Sequence, residues 1–234
     1  MMNGTDDFNP QNARNKKRKK REVDEKIKIK NDLEKISYGI QTGLTIFKEI
    51  EENTNIEKEL KKELLLNIYQ GKVLVLFGAV DLFFHQLIPE KVLSILNNED
   101  LKEATENIQK LKISLKTFFK YLEEDDIERK QLILSEGIKE EIDYVSYWSL
   151  KNIKIILESI SNKKDIFLEI ATALNLSKKE LEDKIKQYSD KRNKIAHRLD
   201  YDFIGKERKK ITYDEILEMT KFYEDFLNII LTYV

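Results

Sequence analysis

The stretch Val73–Ile88, "VLVLFGAVDLFFHQLI", is apolar on almost every side of a 3.6-residue helix, with one carboxylate, Asp81, in its middle. A helix of that kind is stable in water only when neighbours cover most of its faces. The rest of the chain must therefore supply several amphipathic helices to wrap it, and the pattern shows them. Upstream, Ile29, Leu33, Ile36, Ile40, Leu44 and Phe47 recur near a helical period in a long N-terminal helix over about 22–51. Asn53–Thr54, with Glu57 in capping-box spacing from Thr54, opens a core bundle over about 53–234. Pro89 is expected to interrupt or end the central helix. Downstream, 101–124 reads as an amphipathic helix, 127–160 as one or two more, and 162–176 as a shorter one. Ser177 and Glu180, again in capping-box spacing, start a helix through about Leu199, and Tyr213–Val234 closes the chain as another. With two prolines and seven glycines in 234 residues, no long alternating pattern and no internal repeat, the expected class is all-α, a helical bundle forming one domain over 22–234.

Residues 1–21 are polar and then strongly basic, with no apolar side chain after Ala13 in "ARNKKRKKR". Such a run cannot bury anything, so the expectation is a flexible, disordered basic tail, solvated or holding phosphates without specificity. The overall charge of −1 gives the molecule as a whole no attraction to nucleic acid. The lack of cysteine excludes disulfides, thiolate metal sites and a cysteine nucleophile, and two histidines argue against a multi-histidine zinc site. No metal or other cofactor is therefore expected. No run of eighteen consecutive apolar residues and no secretory signal pattern is present, which points to a cytoplasmic protein without a membrane anchor.

Two charges stand where apolar residues belong. On the helix that opens at Ser177, Leu181, Ile185, Tyr188, position 192, Ile195 and Leu199 follow one another at the spacings of an inward stripe, and position 192 is Arg. A guanidinium cannot shed its charge, so it requires a carboxylate, a cleft between subunits or a ligand. Asp81, in the most apolar helix, has the mirror-image need, with Arg192 and His85 as candidate partners. On chemistry alone, a buried Asp81–Arg192 pair that sets helix register is the blander account. Asn193 and His197, four residues apart, share one side of the motif helix, and the long Arg192 side chain can reach round toward them. Tyr188, Tyr201 and Trp148 offer rings for base stacking, although aromatics at helical spacing more often belong to a core.

The segment "RNKIAH" at 192–197 resembles the Arg-x4-His signature of HEPN domains, in the fuller Arg-Asn-x-x-Ala-His form found in several ribonuclease families. "YWSLKNIKIILESI" before it is similar to the short helices that precede the motif in RiboL-PSP-like and MAE-type members, and the resemblance covers about 53–234. It implies an all-α bundle that dimerises with its motif helices at the two-fold axis. It also implies a metal-independent endoribonuclease of a toxin–antitoxin or phage-defence system. Carried over by position, Arg192 and His197 are the catalytic pair. Asn193 takes the polar second place and Asp81 the acidic residue of an earlier helix. Where related sequences often have Gly directly after the motif His, this chain has Arg198, which leaves the helix end open. The implied chemistry is attack by the RNA 2′-hydroxyl, leaving a 2′,3′-cyclic phosphate. The implied partners are an RNA substrate, a second copy of the chain, and an antitoxin or sensor protein. A non-catalytic HEPN module for binding or assembly is the alternative, and a helical adaptor working through its basic tail is a third reading.

Overall fold

In the computed structural model, the described backbone comprises residues 10–53, 55–96, 113–198, 201–202, 207–208 and 211–234. Eight helices account for nearly all of it: α1 (Pro10–Glu52), α2 (Lys58–Leu96), α3 (Leu115–Glu123), α4 (Ile127–Ile142), α5 (Leu150–Ile160), α6 (Ile166–Ala173), α7 (Lys178–Arg198) and α8 (Tyr213–Tyr233). The fold is an all-α bundle with α2 at its centre, packed against α1, α4, α5, α7 and α8. Val73, Phe77, Val80, Phe83, Phe84, Leu87 and Ile88 are buried along α2, and the predicted stripe of α1 meets them through Ile29, Ile40, Leu44 and Phe47. The cover is incomplete, because Leu74, Val75 and Leu82 lie exposed on one side of α2. α2 is also long and apolar enough by composition to span a bilayer, yet half of that window is buried inside the bundle.

Local chemistry fixes the helix starts. Ser177 Oγ accepts from Glu180 N at 3.2 Å while Glu180 Oε2 accepts from Ser177 N at 2.7 Å, which is the capping box expected for α7. Thr212 and Glu215 form a second capping box at the start of α8. Ser114, Asp126, Ser149 and Asp165 each accept a backbone N–H in the first turn of α3, α4, α5 and α6.

Three boundaries differ from the sequence reading. α1 begins at Pro10 and takes in the basic run that was expected to form a tail. Lys and Arg are good helix formers, and extending a helix already nucleated by its packed half is easy. Residues 1–9 lie outside the described residues. α2 runs through Pro89 to Leu96 instead of ending there. The proline removes one bond to the carbonyl of His85. Burial of Leu87, Ile88, Val92 and Leu93 on both sides of it outweighs that loss. α2 starts at Lys58, where Asn53 Oδ1 accepts from Asn55 N at 2.8 Å in the preceding turn, and the expected cap residue Thr54 is outside the described residues. So are residues 97–112, which include the first part of the helix expected over 101–124. Between α7 and α8 the chain forms a two-residue antiparallel ladder, β1 (Tyr201–Asp202) with β2 (Glu207–Arg208), which the sequence reading passed over as a polar loop.

Candidate functional site

The site is built around the turn between α4 and α5, residues 143–149, which two helices hold by hydrogen bonds. From α2, Asp81 Oδ1 accepts from Tyr147 N at 2.6 Å. From α7, the Ser189 hydroxyl lies 2.5 Å from Trp148 O and 2.7 Å from Ile185 O, its one proton serving either. Asn152 Nδ2 donates to Ser146 O at 2.7 Å and Ser149 caps α5, so the turn is also tied to the helix that follows it. The Tyr147 ring packs against Phe84 and His85 at centroid separations of 5.7 and 5.2 Å. Burial, with the Asp81 charge adding to it, pushes the Tyr147 phenol up to about 12.

This grip presents Trp148 to Arg192. The guanidinium carbon sits 3.9 Å from the centre of the Trp148 ring, a stacked cation–π contact. Arg192 Nη1 donates to Asn193 Oδ1 at 3.2 Å. Its Nε is buried with no hydrogen-bond partner among the described residues. Burial weighs against the charge on Arg192, and the Asp81 carboxylate opposes that effect. The other stripe positions of α7 behave as expected: Leu181, Ile185, Tyr188 and Ile195 are buried, while Leu199 is outside the described residues. The anomalous slot at 192 is thus filled by an aromatic face.

Asp81 and Arg192 do not form a direct ion pair. The anionic residue spends one oxygen on the Tyr147 backbone and faces His85 Nε2 with the other at 3.6 Å. Of the two partners the sequence offered, His85 is therefore the nearer, and Arg192 interacts with Asp81 through space. His85 Nδ1 is buried and has no hydrogen-bond partner among the described residues.

His197 is exposed, one residue short of the last residue of α7, and has no hydrogen bond among the described residues. It stands five residues beyond Arg192, about 7.5 Å along the axis and about 140° round it. Asn193, bonded to Arg192 and one turn before His197, links the two sides of the helix. The structure thus gathers Arg192, Asn193 and Asp81 around Trp148 and leaves His197 on the open surface at the helix end. α7 continues through Arg198, the residue that stands where related sequences often have a glycine stop.

Two neighbouring cations are already engaged. Lys191 meets Glu215 at 2.6 Å and Lys184 meets Glu218 at 2.8 Å, both tying α7 to α8. Lys194 is exposed on the turn before His197. Tyr188 belongs to the core and donates to Glu218 Oε1 at 3.0 Å, and the side chain of Tyr201 is outside the described residues. Among the described residues, no three His, Asp or Glu side chains are grouped so as to hold a metal ion. The sequence reading missed the direct contribution of Trp148 and the Asp81–Tyr147 bond. Their one signal was the "YW" dipeptide just before α5, which holds the single tryptophan of the sequence. Comparison with protein-family models, with curated proteins and with solved structures finds no match to this chain.

Proposed function

We propose that the protein is a HEPN-type, metal-independent endoribonuclease that works in the cytoplasm as a homodimer, as an effector of phage defence or of a toxin–antitoxin pair. The observation that carries the reading is the state of the motif side chains. Arg192 is stacked on Trp148 with an Nε donor unspent among the described residues, and His197 stands open to solvent on the same helix. Together with the Arg-Asn-x-x-Ala-His resemblance, this supplies a fixed cation and a free imidazole, the two groups that cleavage of RNA by its own 2′-hydroxyl needs.

In the proposed reaction the 2′-oxygen attacks the adjacent phosphorus and the 5′-oxygen of the next nucleotide leaves. One product end is a 2′,3′-cyclic phosphate and the other a 5′-hydroxyl. His197 removes the 2′-hydroxyl proton or protonates the departing oxygen, a contribution typically of about 10²–10⁴-fold. A second copy of the motif helix across a dimer supplies the complementary proton transfer. Arg192 neutralises charge that develops on the non-bridging oxygens, and preorganisation on Trp148 makes that assistance effective. Asn193 positions Arg192, and Asp81 acts at a distance by holding the turn that carries Trp148.

A second reading, a HEPN-type module for binding or assembly without catalysis, draws on the same stacking: an arginine packed on a tryptophan also serves a purely structural end. The readings separate when purified protein is incubated with total RNA in EDTA. The nuclease reading expects cleavage by the wild type and none by His197→Ala or Arg192→Lys, with both variants folded. Cleavage that survives in both variants would sink it.

A further inference from the structure

A cavity of about 300 Å³ lies between α1, α2 and α8. Ligand pockets start at about this size, so its occupant is small. The walls are of two kinds. Leu33 and Ile36 of α1, Leu76 of α2 and Leu227 of α8 give it aliphatic sides. Glu34, Glu224 and Asp225 bring carboxylates to the lining, against one cation, Lys30. That lysine is within ion-pair range of Glu34, at 3.9 Å along the same helix.

Glu224 is the anomaly. It is partly buried, and its Oε1 is buried with no hydrogen-bond partner among the described residues. A buried acceptor left unmade is costly, and more so when it carries charge. Burial, with Asp225 beside it, pushes the Glu224 carboxyl above its ordinary value, so the protein alone does not satisfy the anion. A donor-rich cation entering the cavity would satisfy it. A bare metal ion is a poor candidate, because among the described residues no three acidic or histidine side chains are grouped so as to hold one. A chain of methylenes carrying ammonium groups matches both kinds of wall, placing carbon against Leu33, Ile36, Leu76 and Leu227 and charge against Glu224 and its acidic neighbours.

We propose that this cavity is a binding site for an aliphatic polyamine, with Glu224 as its principal contact. The site lies apart from Arg192 and His197 and stands independently of the ribonuclease reading. The test is titration calorimetry of the full chain with spermidine, accompanied by thermal unfolding. Saturable one-to-one binding is expected. Glu224→Gln should weaken it at least about tenfold, the loss expected for a hydrogen bond to a charged group. Ser37→Phe, which adds bulk to the cavity from α1 and removes no carboxylate, should weaken it comparably, and Glu169→Gln, on the exposed surface of α6, should leave it unchanged. The proposal is overturned by any of three results: no saturable heat with folded wild-type protein, equal affinity in Glu224→Gln, or the same stabilisation from Mg²⁺ at matched ionic strength.

Discussion

Replacing Asp81 should damage the fold more than replacing Arg192, although sequence chemistry pairs the two. Asp81 Oδ1 accepts from Tyr147 N at 2.6 Å, and its second oxygen faces His85 at 3.6 Å. Asp81→Ala removes a hydrogen bond to a charged acceptor, worth about 1.5–3 kcal/mol, and leaves a part-buried N–H unmade. With the weaker His85 contact included, the expected loss is about 2–4 kcal/mol. For a chain of this size that is a fall in Tm of roughly 5–15 °C. Asp81→Asn keeps an acceptor toward Tyr147 and should lose about 1 kcal/mol. Arg192→Ala removes the Trp148 stack and the bond to Asn193 but also relieves a half-buried charge, so about 1 kcal/mol is expected. Urea unfolding of the two single variants and the double variant closes a cycle in which the Asp81–Arg192 coupling should be below about 1 kcal/mol. A loss of about 3–5 kcal/mol for Arg192→Ala, with coupling of the same size, would show a buried ion pair and refute this geometry.

Two glycines give opposite expectations for the same change. Gly137→Ala in α4 drives a methyl into the Thr117 side chain and should destabilise, whereas Gly78→Ala on the open side of α2 meets nothing and should gain about 0.5–1 kcal/mol, both read by thermal unfolding. Lys178, donating at 2.6 Å, and the Leu168 N–H hold the Asp165 carboxyl below its ordinary value. Its contribution should be complete above the unfolded carboxylate range of about pH 4 and vanish as the pH falls through the folded value, so the Tm gap between wild type and Asp165→Asn should close in acid. That gap should be small, because the pair is substantially exposed. His197→Ala should leave Tm within about 1 °C of wild type, since the side chain is exposed and unbonded among the described residues.

The helices were legible because their signals are local. The stripes at Ile29–Phe47 and Leu181–Ile195, and the Ser177–Glu180 box, depend only on spacing along one helix. Pro89 misled because its local penalty is overridden by burial that only the assembled bundle supplies. The basic run of α1 misled for a related reason: its composition argues against burial, and helix formation there needs none. At the site, the demand of Asp81 and Arg192 for partners was readable from their positions in apolar stripes. Their actual partners were not, because Tyr147 N and the Trp148 face come from a turn far from either residue in sequence, and a backbone N–H leaves no mark in a residue pattern. The gap at Glu224 was invisible for the same reason, since a glutamate on an amphipathic helix reads as solvated until α1 is packed over it.

The central claim is that RNA is cut by its own 2′-hydroxyl with Arg192 and His197 in attendance. The most direct test compares two oligonucleotides of one sequence, unmodified RNA and the fully 2′-O-methylated form, each incubated with the protein in EDTA. The account predicts cleavage of the unmodified strand alone, with a 2′,3′-cyclic phosphate at the new end and no products from His197→Ala. Cleavage of the methylated strand, or an unmodified strand left intact by folded protein, would contradict it.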